Sequence, residues 1–177
     1  MPRTGSDTAD RIRAIATELF ARQGFDRTSL QQIADRVGMT KAALYYHFSS
    51  KEDLIRSITQ PLLDDGAEML ERVQASPLTP AELFGELFDI TYAHRGILGA
   101  LVRDLSALSE ADLEGEVIAW RWRVQRRLVG EDAPLDQQVR AVLAIGGLQD
   151  CVVMFPDADA AELRTAAVDA ACAALRR

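Results

Sequence analysis

The stretch Lys41-Ala42-Ala43-Leu44-Tyr45-Tyr46-His47 gathers side chains whose chemistry suits contact with another molecule. Leu44 and Phe48 are four apart, so on a helix they share a face and point inward. Lys41, Ala42, Tyr45, Tyr46 and His47 are then left mostly outside. Solvation alone is a poor reason to expose two adjacent tyrosines and a histidine on so short a helix. A helix laid in a major groove of DNA would use them. The small Ala42 and Ala43 would let its backbone come close to the bases.

The preceding residues supply the element that positions this helix. Leu30, Ile33, Ala34 and Val37 have helical spacing, and Gly38-Met39-Thr40 is a tight turn. Two short helices across such a turn make a helix-turn-helix. Thr28…Gln31 and Ser29…Gln32 both have capping-box spacing, so two starts for the first of them stand open. Thr40 is placed to cap the second, which runs from Lys41 to about Phe48. Ahead of both, Ile12, Ile15, Ala16, Leu19 and Phe20 form an apolar stripe that Gln23-Gly24 ends.

Nearly every other segment also reads as helix. Ser50 can cap a helix from Lys51 into the seventies, with Glu52 and Asp53 at its positive end. Pro61 removes a backbone donor from it, which predicts a kink or break. Residues 76–80 read as a loop, and Thr79-Pro80-Ala81-Glu82 starts the next helix with cap, proline and capping-box glutamate. Gly96 predicts a break before a helix at Ile97–Leu108. Another helix is predicted from about Ala111 to Val129. Asp132-Ala133-Pro134 opens a long one that ends near Phe155-Pro156, and Asp159-Ala160-Ala161-Glu162 opens the last.

Charge divides the chain. Residues 1–56 carry nine Lys/Arg against seven Asp/Glu, whereas residues 57–177 carry eleven against twenty. Only the first part approaches phosphates comfortably. The expected organisation is therefore a DNA-binding domain at 1–56 and a helical domain at 57–177. The 18 arginines against two lysines read as coding bias. Cys151 and Cys172 have no metal spacing and read as buried free thiols. No apolar run approaches a membrane span, and no signal peptide is evident, so a cytoplasmic location is expected. His94 has no neighbouring triad or metal set, and no glycine-rich phosphate loop occurs. No enzyme activity, metal or cofactor is expected.

Residues 10–58 resemble the tetracycline-repressor-like (TetR) family. The residues that carry the resemblance are Thr28-Ser29, Ile33-Ala34, Gly38-Met39-Thr40 and the run Leu44-Tyr45-Tyr46-His47-Phe48-Ser49-Ser50-Lys51-Glu52-Asp53-Leu54. Leu19-Phe20 and Gly24-Phe25 fit ahead of them. The resemblance implies an all-α fold: an N-terminal three-helix, homeodomain-like domain and a C-terminal bundle for effector binding and dimerisation. It implies that Thr28 or Ser29, with Gln31, sits against a phosphate and the groove edge. Thr40, Lys41 and Ala42 would lead the recognition helix. Tyr45, Tyr46 and His47 would divide between bases and phosphates, and Lys51 would clamp a phosphate. Lys41 is the candidate for direct readout, since an ammonium can donate to guanine O6 and N7. The family often has Gly where Ala43 stands, so the close approach differs slightly.

The second region offers two kinds of surface. Leu113, Val117, Trp120, Val124 and Leu128 form one stripe of a helix, and Ile118, Trp122 and Val129 lie nearly opposite. A helix apolar on two faces must be covered on both. The last two helices are rich in small residues at three- and four-residue spacing, with Gly146-Gly147 inside one of them. The family resemblance implies that they form a homodimer interface. It also implies a small-molecule pocket, for which Phe84, Phe88, Tyr92, Leu101, Trp120, Val124, Gln149 and Met154 are candidate lining residues. Arg95, Arg103 and Asp150 are the polar candidates. The expected function is a DNA-binding transcriptional repressor, released from a near-palindromic operator by a small effector. The alternative is a DNA-binding architectural or cell-division regulator on the same scaffold without an effector.

Overall fold

The computed structural model describes residues 5–76, 78–103, 109 and 112–176, with side chains from residue 7 onward except those of 102 and 103. The described residues form helices α1 (Gly5–Gln23), α2 (Leu30–Val37), α3 (Lys41–His47), α4 (Lys51–Ala75), α5 (Pro80–Ala93), α6 (Arg95–Arg103), α7 (Glu114–Val129), α8 (Leu135–Met154) and α9 (Ala160–Leu175). No strand occurs among them.

The chain divides into two compact units, residues 1–61 with 96–114, and residues 62–95 with 115–177. The first unit thus takes in a segment that charge and motif alone place with the second. Its core is built by the predicted stripe of α1: Ile12, Ala16 and Phe20 are fully buried, and the Phe20 and Phe25 rings stack at 4.5 Å. Ile33, Ala34 and Leu44 are also fully buried. Leu113 is buried too, just ahead of α7. Arg56 donates to the Asp112 carbonyl beside it at 3.3 Å.

In the second unit, Phe84, Leu87 and Phe88 of α5 pack with Met69 and Leu70 of α4, Val124 of α7, Ile145 and Leu148 of α8, and Leu163 of α9. The α5 start is the predicted capping box: Glu82 N donates to Thr79 Oγ1, and Thr79 N donates to Glu82 Oε2 at 2.8 Å. The Thr79 backbone N–H first, and then the Thr79 hydroxyl, which donates to the same oxygen at 2.7 Å, hold the Glu82 carboxyl below its ordinary 4.5. Asp159 caps α9 by accepting from Ala161 N and Glu162 N, both at 3.0 Å. Cys151 and Cys172 are free thiols, half-buried against this core.

Three boundaries differ from the sequence reading. Pro61 does not end its helix: α4 runs unbroken over 25 residues. Proline costs one hydrogen bond and a local clash, and buried Ile58, Leu62 and Leu63 anchor the chain on both sides of it. The break before α6 falls at His94, which caps α5, two residues ahead of Gly96. The predicted end of that helix, 104–108, lies outside the described residues, and α7 starts at Glu114 where 111 was predicted.

Candidate nucleic-acid interface

Local chemistry builds this site. Ser29 is the N-cap of α2: its Oγ accepts from Gln32 N at 3.2 Å, while its own N–H donates to Gln32 Oε1 at 2.9 Å. Gly38 ends α2 at φ 83°, a left-handed conformation that glycine adopts without Cβ strain. Thr40 then caps α3, its Oγ1 accepting from Ala43 N at 3.1 Å. Each capping hydroxyl spends an acceptor lone pair and keeps its O–H donor, so Ser29 and Thr40 can still donate to a phosphate.

On α3, Leu44 is fully buried and Phe48 follows it inward. Lys41, Ala42, Tyr45 and Tyr46 face solvent, Tyr46 at 89% exposure. Lys41 Nζ lies 5.7 Å from the centre of the Tyr45 ring, within cation–π range. Tyr46 and His47 meet edge to face at 5.6 Å, with His47 half-buried. Gln31 is exposed on α2 and donates to Asp35 Oδ1 at 2.7 Å, which leaves its second amide hydrogen. Lys51 is half-buried in the first turn of α4. The neighbouring Glu52 carboxyl is held below its ordinary value by its own backbone N–H, then by the Ser50 hydroxyl and the Lys51 charge. The chain's two lysines, 41 and 51, thus both stand in this segment.

Thr28 does not join the exposed set. It is 1% exposed, and its hydroxyl donates to Gly24 O at 2.7 Å and accepts from Gln23 Nε2 at 3.1 Å. Of the two caps that the sequence left open, Ser29 is the one used, so Thr28 is a structural residue of the turn.

The predicted effector residues separate into three groups. Phe84, Phe88 and Val124 are buried in the second unit's core, and Tyr92 and Trp120 pack half-buried against it. The Phe88 and Tyr92 rings stack at 5.7 Å. Exposed Arg95 lies over Tyr92 at 4.3 Å, Gln149 is half-buried, and Asp150 and Met154 face outward, Met154 at 69% exposure. Asp150 and Met154 sit on the face of α8 that turns away from the core, which periodicity alone did not reveal. Leu101 is buried in the first unit and is not a member of that cluster, and the Arg103 side chain lies outside the described residues.

Two further residues were not singled out by sequence. Gly66 of α4 seats the Trp120 indole so closely that a Cβ there would collide with it. The Trp120 N–H is buried without a hydrogen-bond partner among the described residues. Gln125 is 5% exposed on α7. Its signal was available: it continues the Ile118–Trp122 face at helical spacing.

Residues 12–58 match the family described as bacterial regulatory proteins, tetR family. The chain is 35% identical over 78 residues to the HTH-type transcriptional repressor KstR2 of Rhodococcus jostii, covering 44% of this chain and 38% of that one. Matches to the first curated relatives span 38–52% of their length. A TetR-family regulator from Bordetella parapertussis has the same fold, with a TM-score of 0.76 and 21% identity over 92% of this chain and 93% of its own. The TetR-family regulator PfmR of Thermus thermophilus gives 0.71 at 25% identity, over 95% and 100%. Residues 12–58 thus match the tetR family of bacterial regulatory proteins, and the chain has the fold of solved TetR-family regulators. No helix among the described residues is long and apolar enough to cross a membrane.

Proposed function

We propose that this protein is a dimeric transcriptional repressor that a small-molecule effector releases from a near-palindromic operator. One observation carries the DNA-binding half of this reading. Lys41, Tyr45 and Tyr46 stand in solvent on a helix whose other face is locked by Leu44 and Phe48. Large side chains with hydrogen-bonding heads, held outward on a capped helix, are what base-edge recognition in a major groove requires. Ser29, Gln31, Thr40, Ala42, His47 and Lys51 surround them and supply phosphate contacts and closeness. Two copies related by a two-fold axis through α8 and α9 would present two α3 helices to half-sites one turn of DNA apart, about 34–36 Å.

For the effector half, the support is the aromatic cluster of Phe84, Phe88, Tyr92 and Trp120, with its unsatisfied indole N–H. A buried donor without a partner is a standing cost, which a ligand acceptor would relieve. Relief draws Trp120 off Gly66 of α4, the helix that begins at Lys51. The effector then favours one conformation only by its differential affinity for the two.

Operator selection followed by titration tests the reading. Each good base contact supplies about 1–3 kcal/mol, so Lys41→Ala with Tyr45→Ala is expected to weaken operator binding at least about 30-fold. Unchanged affinity in the double variant would remove the recognition role from α3.

A further inference from the structure

The C-terminal half of α7 concentrates positive charge in a part of the chain that is otherwise acidic. Arg123, Arg126 and Arg127 stand close together there, whereas residues 57–177 carry eleven Lys/Arg against twenty Asp/Glu. All three arginines are exposed. They line one groove of about 420 Å³ between α7 and α4, together with Leu70, Gln74 and Glu131. Small-molecule sites occupy about 300–1,000 Å³, so the groove is large enough to hold one.

Two ordinary reasons for arginines at this place fall short. Cations in the last turn of a helix suit its negative end, which accounts for Arg126 and Arg127. Arg123 stands a turn earlier, beyond the reach of that effect. The second reason is ion pairing. Elsewhere in the unit Arg72 pairs with Glu68 and Glu86, and Arg164 with Asp89. Arg123 makes no hydrogen bond or ion pair among the described residues. Arg126 has Glu131 at 3.8 Å, beyond hydrogen-bond reach, with the glutamate side chain 80% exposed. Arg123 and Arg127 are four apart on one helix face, where like charges repel. An anion between them would relieve that repulsion.

We propose that this groove binds the phosphate of a small molecule, held by Arg123 and Arg126 against a wall made by Arg127. A guanidinium keeps its charge at any physiological pH and presents paired N–H groups that match two phosphate oxygens. Arg127 donates to the Val73 carbonyl at 3.1 Å, which ties α7 to α4 and leaves its other N–H groups available. Gln74 adds an amide on the α4 side, and Leu70 an apolar floor. Glu131 is the opposing charge. It follows Gly130, which turns the chain at φ 87°, and an entering phosphate takes its place on Arg126. The charge balance selects a small anion over a nucleic acid. An extended polyanion would meet the excess of carboxylates in the rest of residues 57–177, whereas a small phosphate needs only the arginines. The inference stands apart from the effector reading, because Phe84, Phe88, Tyr92 and Trp120 do not line this groove.

Titration calorimetry on the full chain, in phosphate-free buffer at low salt, tests it with inorganic pyrophosphate and ADP as probes and citrate as a carboxylate control. Pyrophosphate is expected to bind. Arg123→Gln with Arg126→Gln is expected to weaken that binding at least about 10-fold. The helical circular dichroism should persist, since both side chains stand in water. Glu131→Gln is expected to tighten binding about three-fold. Operator affinity of the arginine double variant, measured without probe, is expected to match the parent's. ADP binding tighter than pyrophosphate assigns the site to an organic phosphate, and ADP binding no tighter assigns it to the inorganic ion. Undiminished pyrophosphate binding in the double variant overturns the proposal. So does a fall in its operator affinity, which would place these arginines on DNA. Citrate binding as tightly as pyrophosphate overturns the choice of phosphate. Failure of both probes to bind the parent overturns the site itself and leaves the effector reading where it was.

Discussion

Two regions of this molecule hold large side chains out in water, and they do so differently. On α3 the exposed residues are Lys41, Tyr45 and Tyr46, each an apolar body ending in a polar head. On α7 and α8 they are Ile118, Trp122, Val142 and Leu143, of which only the tryptophan carries a hydrogen-bonding atom. The first set gains from a surface rich in acceptors, such as base edges and phosphates. The second gains only by leaving water, at roughly 25 cal/mol per Å² of apolar area. Exposure alone is therefore not the signal of function. The chemistry at the tip of the exposed side chain says which kind of surface will cover it.

The largest expected effect comes from putting a charge in the apolar region. Leu143→Glu would set two like charges close to one another in a two-fold interface, at a cost of several kcal/mol. The dimer dissociation constant, measured by sedimentation equilibrium, should rise at least about 100-fold. Operator affinity should fall with it, because a single half-site remains. A Leu143→Glu protein that still dimerises like the parent would break the comparison on the assembly side.

A smaller effect tests whether the α3 face depends on a prepared turn. Gly38 sits at φ 83° with open space for 4 Å around the position a Cβ would take, so Gly38→Ala meets backbone strain alone. That strain is about 1–2 kcal/mol. Thermal unfolding should show the loss as a fall of a few degrees, with dimerisation unchanged.

The smallest effect separates the regions by pH. The caps of α2 and α3 are the neutral hydroxyls of Ser29 and Thr40, whereas α5 is capped through the Glu82 carboxylate. The folded state holds that carboxyl below its ordinary 4.5. Its contribution is therefore fully present above the unfolded value and is lost as pH falls through the folded one. Glu82→Gln keeps an acceptor and does not titrate. Its melting temperature should fall less steeply on acidification below the ordinary value than the parent's does.

The parts of the fold legible in the sequence are those fixed by near neighbours. Thr40, Thr79 and Asp159 cap helices because each needs only the N–H groups two or three residues on. Leu44 and Phe48 point inward because their spacing leaves one face. What depends on distant packing was not legible. Leu113 and Leu101 lie in the first unit although the α7 pattern and the effector set drew them to the second. Thr28 and Ser29 offer the same spacing, and the turn back onto Gly24 and Phe25 decides between them. In the candidate effector set, periodicity supplied a face for Asp150 and Met154 but not its neighbour, and that face turned out to be the outer one.

The chain's lysines have a practical consequence for anyone handling the protein. Its only side-chain amines are those of Lys41 and Lys51, and both lie in the α3–α4 segment proposed to meet DNA. Apart from the α-amine at the start of the chain, amine-reactive dyes, crosslinkers and coupling resins will therefore take hold of the molecule at that segment and nowhere along α5 to α9. On the proposed function, lysine modification would impair operator binding while leaving the side chains of α5 to α9 untouched. The chain's two thiols, Cys151 and Cys172, both belong to the second unit, and attachment through them leaves the reading head clear.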